Sequence, residues 1–135
     1  MKKSLFVLIG ACAVLLAACG VQLTSAERAS IEKEANITIT CKEGRDCERK
    51  WSRAGQWVAE SSAYKVRVSS DNLIQTSGPA RSSTNSAFTV TKYATGQDMY
   101  VIKFDSYCDN WFGCEPTATE LKAVFTHFVL NDHPQ

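Results

Sequence analysis

Histidine is scarce in this chain: among 135 residues only His127 and His133 carry an imidazole, and there are three prolines and two methionines. General acid–base catalysis and histidine-built metal sites therefore have little to draw on. No glycine-rich phosphate loop, no Gly-x-Ser-x-Gly elbow and no His-Glu-x-x-His helix occurs. Cys-x-x-Cys is missing as well, which removes the usual spacing of thiol–disulfide enzymes and of paired zinc ligands. An excess of charge is lacking, with 15 Lys and Arg against 14 Asp and Glu. A near-neutral chain has no general attraction for nucleic acid or anionic surfaces. After the first two dozen residues no run is long and apolar enough to cross a membrane.

What the sequence does have begins at its start. Met1-Lys2-Lys3 is a positive opening, Leu5 to Leu16 is an apolar run, and Ala17-Ala18 supplies small residues. That is the layout of a secretory signal peptide, too short to span a bilayer as a helix. Leu16-Ala17-Ala18-Cys19 resembles the lipobox of bacterial lipoproteins. The resemblance covers only the first 19 residues or so. It implies cleavage before Cys19, a diacylglycerol on its sulfur and an acylated amine. Gly20 stands where, in the enteric members of that class, an aspartate directs inner-membrane retention. The resemblance thus implies a lipid-anchored protein of the cell envelope, on the outer membrane and facing the periplasm. Without Lys2 and Lys3 the remainder holds 13 basic against 14 acidic residues, a net charge of −1.

Six cysteines then reduce to four. Cys12 leaves with the signal and Cys19 takes lipid, while Cys41, Cys47, Cys108 and Cys114 remain as two copies of one spacing. An even count in an exported chain reads as disulfides. Three connectivities are possible; the local pairs Cys41–Cys47 and Cys108–Cys114 are favoured because the intervening residues look like turns. Redox chemistry and a metal site are the competing readings, and the spacing suits neither. No metal or other cofactor is expected.

Residues 19–35 read as the lipidated cysteine and a tether, and 36–135 as one domain. Thr24-x-x-Glu27 is a capping box, but Ile31 is the only large apolar residue after it, so a solvated or frayed segment is expected there. Ile37-Thr38-Ile39-Thr40-Cys41 alternates as a strand does. From Arg45 to about Glu60, Cys47, Trp51, Ala54 and Val58 fall on one helical face. Trp51 is assigned to the core, and Trp57 lies at the stripe's edge. Gly55 costs this helix about 1 kcal/mol in propensity unless close packing needs it. Tyr64–Ser69, Leu73–Thr76, Phe88–Tyr93 and Met99–Tyr107 read as four strands. They are separated by a turn at Ser70-Asp71-Asn72, a serine-rich loop after Gly78-Pro79, and a hairpin turn at Ala94–Gln97. Thr117-x-x-Glu120 opens a last helix with Ala118, Leu121, Phe125, Phe128 and Val129 as its apolar stripe. The order β-α-β-β-β-β-α, with short turns between strands, predicts an α+β fold: an antiparallel sheet of four to five strands under two amphipathic helices.

Candidate chemistry is thin. His127 lies off the apolar stripe and reads as a surface residue, and Asp105, Asp109 and Glu115 match no calcium loop. The loop Cys108-Asp109-Asn110-Trp111-Phe112-Gly113-Cys114 holds two large aromatics. They either fold back over the core or form a stiffened contact point, with Asn110 beside them. Of the two, capping the core is the expected role. A basic set, Lys42, Arg45, Arg49, Lys50 and Arg53, reads as a solvated helix face or as a patch for an anionic envelope component, with Arg49 and Arg53 the stronger candidates. Serine and threonine on the strands suggest one wet sheet face, and an edge strand is a second docking route. The reading that follows is a non-catalytic envelope lipoprotein, not an enzyme, that binds a protein or cell-wall component and no nucleic acid. The alternative is an inhibitor of a secreted lysozyme or protease.

Overall fold

A computed structural model describes residues 22–131. The readings made on the signal, on Cys19 and on His133 lie outside them. Helix α1 (Ser25–Ala35) comes first, then strand β1 (Ile39–Lys42), helix α2 (Arg45–Ser61) and strands β2 (Val66–Ser69), β3 (Leu73–Thr76), β4 (Ala87–Gly96) and β5 (Met99–Tyr107). Helix α3 (Ala118–Leu130) closes the chain. The strands form one antiparallel sheet in the order β1-β5-β4-β3-β2. The fold is the expected α+β arrangement, with one helix more than expected. The segment assigned to solvent is helix α1, packed alongside α3.

Two capping boxes explain where α1 and α3 start. Thr24 accepts from the Glu27 amide while the Glu27 carboxylate takes the Thr24 N–H at 2.7 Å. Thr117 and Glu120 repeat the exchange. Each satisfies donors that a helix N-terminus leaves without partners. The Glu27 carboxyl is held below its ordinary pKa by the Thr24 backbone N–H and then its hydroxyl. The Glu120 carboxyl is lowered by the Thr117 hydroxyl and then the backbone N–H. The low apolar content of α1 was the reason to expect fraying. A polar helix needs only a narrow contact, and Ala35 is buried while Ile31 and Leu23 are half-buried toward α3.

Register sorts the strand residues. Ile39 lies opposite Ile102, Val90 opposite Phe104 and Ile74 opposite Val90, and all are buried on one face. Trp57 of α2 and Phe125 of α3 come down onto that face, where Trp57 meets Phe88, Phe104 and Phe125 with ring centroids 5.3–5.4 Å apart. Phe104 and Phe125 stack at 4.6 Å. Trp51, assigned to the core, sits instead at its margin: its indole N–H donates to the Ser70 carbonyl at 3.0 Å and Lys92 lies over its ring. Trp57 is the buried one. Helix α2 turns further under the sheet than a stripe centred on Trp51 would place it.

The cysteines pair locally, Cys41 with Cys47 and Cys108 with Cys114, with Cα separations of 4.9 and 5.6 Å. The first bridge ties the end of β1 to the start of α2. The same junction closes the outer edge of β1. The Lys42 N–H donates to the Asp46 carboxylate at 3.0 Å, and Lys50 Nζ donates to the Thr40 carbonyl at 2.8 Å. An edge with two of its backbone groups already taken is a poorer template for another strand. The opposite edge, β2, is four residues long and carries a bulge between Val66 and Val68, which blunts it too.

Two predictions follow from this packing. A Cβ on Gly55 would meet the Ile74 Cδ1 at 3.6 Å, an ordinary contact, so close packing does not require the glycine. Gly55→Ala raises stability by about 0.5–1 kcal/mol through helix propensity, read by denaturant unfolding. Asp46 is held below its ordinary pKa, first by the Lys42 backbone N–H and then by Lys50. Its contribution is therefore present above the usual carboxylate range and fades as pH falls through the depressed value. Asp46→Ala lowers the protection of the Lys42 amide about fivefold at neutral pH, the worth of one modest hydrogen bond. The difference from the native chain vanishes in acid; hydrogen exchange measures both.

Candidate functional site

Two surfaces remain once the core is assigned. The first is the sheet face turned away from the helices. The alternation that buries Phe88, Val90, Ile102 and Phe104 sends Thr89, Thr91, Val101, Lys103 and Asp105 the other way. Tyr93 and Tyr107 stand on the same side and are exposed, with Leu73 and Gln75 continuing the surface across β3. Lys103 and Asp105 pair at 2.9 Å. That carboxylate raises the pKa of the Lys103 ammonium, first as a hydrogen-bond acceptor and then through its charge. The rings of α2 and α3 pack on the opposite face, and at the β1 edge Tyr93, Val101 and Lys103 share a cleft with Lys122 and Thr126 of α3. It is the wet face that the serine- and threonine-rich strands suggested: a broad surface of hydroxyls, two tyrosine rings and one ion pair.

The second surface is the loop between β5 and α3. Trp111 and Phe112 are each 95% exposed. The sequence reading that folded them back over the core is overturned. The core cluster is built around Trp57, Phe88, Phe104 and Phe125, and neither loop ring belongs to it. Asn110 is structural. Its side-chain amide donates to the Ser82 carbonyl at 2.9 Å, and its Oδ1 accepts from the Phe112 N–H at 2.9 Å. The Glu115 N–H donates to the Thr84 carbonyl at 3.1 Å, and the backbones of Arg81 and Asp109 pair in an isolated parallel β-bridge. The aromatic tip is thus fixed by the disulfide and by the serine-rich loop 77–86.

That loop has its own support, which the sequence reading missed. The Tyr64 hydroxyl accepts from the Ala80 N–H at 2.9 Å and donates to the Asn85 carbonyl at 3.4 Å. Its ring lies flat on Gly78, where an added Cβ would fall 2.9 Å from the ring and where φ is +87°. Both facts demand glycine. The signal was present as Gly78-Pro79, but a breaker dipeptide does not say which ring will cover it.

The basic set does not form one patch. Arg53 donates to the Phe128 and Asn131 carbonyls, and its guanidinium lies 4.6 Å over the Phe128 ring. It fastens the C-terminal end of α3, where carbonyls lack helical partners. Lys50 is spent on β1, and Arg49 donates to Asp46 at 3.2 Å from an exposed position. His127 is on the surface, with Glu34 of α1 at 3.6 Å and the Asn131 amide at 3.0 Å. A cleft of about 930 Å³ opens beside the β4–β5 hairpin between Glu43, Glu48, Asp71 and Lys92. There the Lys92 ammonium is held over the rings of Trp51 and Tyr100 at 5.0 and 6.0 Å.

The chain matches no protein-family model, no curated protein and no solved structure. Its surfaces must be read from their own chemistry.

Exposure decides how the aromatic residues respond to truncation. Trp111→Ala and Phe112→Ala each leave unfolding free energy within about 0.5 kcal/mol of the native chain, as surface substitutions do. Trp57→Ala costs about 3–5 kcal/mol, as loss of a buried ring does. Equilibrium unfolding of the three variants measures the contrast.

Proposed function

We propose that this chain is a non-catalytic lipoprotein of the bacterial cell envelope, anchored through lipid on Cys19, whose domain works by binding a protein or cell-wall component. The observation that carries the binding role is the open sheet face with Tyr93, Tyr107, Val101 and the Lys103–Asp105 pair on it. Tyrosine provides contact area with a polar tip and little entropy to lose, and hydroxyls hydrogen-bond a partner without the desolvation cost of charges. A rigid sheet holds these groups at fixed spacing, so they need little ordering when a partner arrives. The face is favoured over β-strand addition because both sheet edges are blunted, β1 by Asp46 and Lys50 and β2 by its bulge. The anchor supplies the other half of the role: binding the membrane by acyl chains concentrates the domain where its partner is.

Site-specific photo-crosslinking in living cells tests this. A photoreactive residue at Thr91 or Tyr93 gives discrete adducts with an envelope protein or with peptidoglycan, whereas the same residue at Gln56 or Glu60, on the exposed side of α2, gives none. Adducts from α2 alone, or from neither position, would overturn the assignment of the face. An intact mass of the membrane-extracted protein without acyl chains would overturn the anchor.

A further inference from the structure

The membrane end of the molecule can be located from the packing of its helices. Helices α1 and α3 run in the same direction. Leu23, Arg28 and Ile31 share a surface cleft with Thr117 and Glu120, while Glu34, near the other end of α1, faces His127. The N-termini of both helices therefore lie at one end of the domain. Helix α3 begins directly after the disulfide loop, with Cys114 three residues before its Thr117 cap. The chain entering α1 and the loop carrying Trp111 and Phe112 are thus at the same end. Trp51 lies at the other, against the β2–β3 turn.

Cys19 stands five residues before Thr24. Fully extended, five residues span at most about 18 Å. With α1 packed on α3, a lipid on Cys19 leaves the domain this short connector in place of a long leash. The end of the domain that faces the bilayer is the end that exposes two aromatic rings. Trp and Phe are side chains that settle at the boundary between headgroups and acyl chains. A monomeric surface rarely displays two adjacent rings without a contact to make.

We infer that the Trp111–Phe112 tip is a second membrane contact, inserted at the lipid interface beside the Cys19 anchor and fixing the orientation of the domain on the bilayer. This rests on the proposed lipidation of Cys19. The disulfide and the Asn110–Ser82 and Glu115–Thr84 hydrogen bonds hold the tip stiff, so insertion orders little that is not already ordered. An acyl chain alone leaves the domain free to rotate about its connector. A second attachment point beside the anchor removes free rotation about the connector and restricts how the open sheet face tilts against the membrane.

The test uses the full-length protein extracted from its own membranes, its acylation established by intact mass, and reconstituted in phosphatidylcholine vesicles with brominated acyl chains. Trp111 emission is quenched by the brominated lipid, and that quenching is lost in Trp111→Phe, which keeps an apolar ring at the tip and leaves Trp51 and Trp57 as the remaining reporters. An acylated protein whose Trp111 is quenched by aqueous acrylamide and not by brominated lipid overturns the inference while leaving the anchor in place. So does protection of Trp111 from acrylamide only when a lysozyme or protease is added, since the tip then fits an enzyme cleft. A protein without acyl mass overturns both readings together.

Discussion

Four aromatic rings meet at the centre of the domain, and each comes from a different element: Trp57 from α2, Phe88 from β4, Phe104 from β5 and Phe125 from α3. Edge-to-face and tilted contacts of this kind fix relative orientation as well as burying area. Rotating either helix would pull a ring out of the cluster and leave a cavity in a close-packed interior. Both helices are therefore committed to one side of the sheet. Helix α1 has no ring to offer and packs on α3, outside the sheet altogether. The open face and the exposed aromatic loop both lie outside this cluster.

The polar interactions follow a similar economy. Asp46 takes the Lys42 N–H, Lys50 takes the Thr40 carbonyl, and Arg53 takes the last carbonyls of α3. Charges that read in sequence as a surface for an anionic partner are largely used to finish backbone groups that the elements leave open. What remains for a partner is close to neutral: tyrosines, threonines and a paired Lys103 and Asp105. Steering by long-range charge is accordingly weak, and recognition at such a face rests on shape and short-range hydrogen bonding.

Much of the fold was legible because it depends on local signals. Both capping boxes, the local disulfide pairs, the alternation of β3 to β5 and the apolar stripe of α3 are properties of short windows. The misreadings came from properties that no window contains. Helix α1 has almost no apolar stripe, and its partner lies some ninety residues further on. Trp51 and Trp57 are both near the stripe of α2, and only the angle at which α2 meets Phe88 and Phe104 buries the second. The exposure of Trp111 and Phe112 was unreadable for a like reason, because an aromatic ring is drawn to a core by default and nothing local shows which rings the core takes. Arg53 was legible as a cation, yet the carbonyls it caps belong to a helix with no neighbouring sequence.

The strand order has a consequence for how the chain assembles. Strands β2 to β5 are joined in sequence, so each pairs with a neighbour as soon as it exists. Strand β1 pairs with β5, whose residues arrive about sixty positions later, and α1 must wait for α3. Closing separations of that size costs chain entropy before any contact repays it. The central meander is thus the natural first assembly, and the two ends of the domain fold onto it late and together. A chain that emerges N-terminus first must hold its opening strand without its sheet neighbour until β5 is made, and its opening helix without a partner until the last helix is complete.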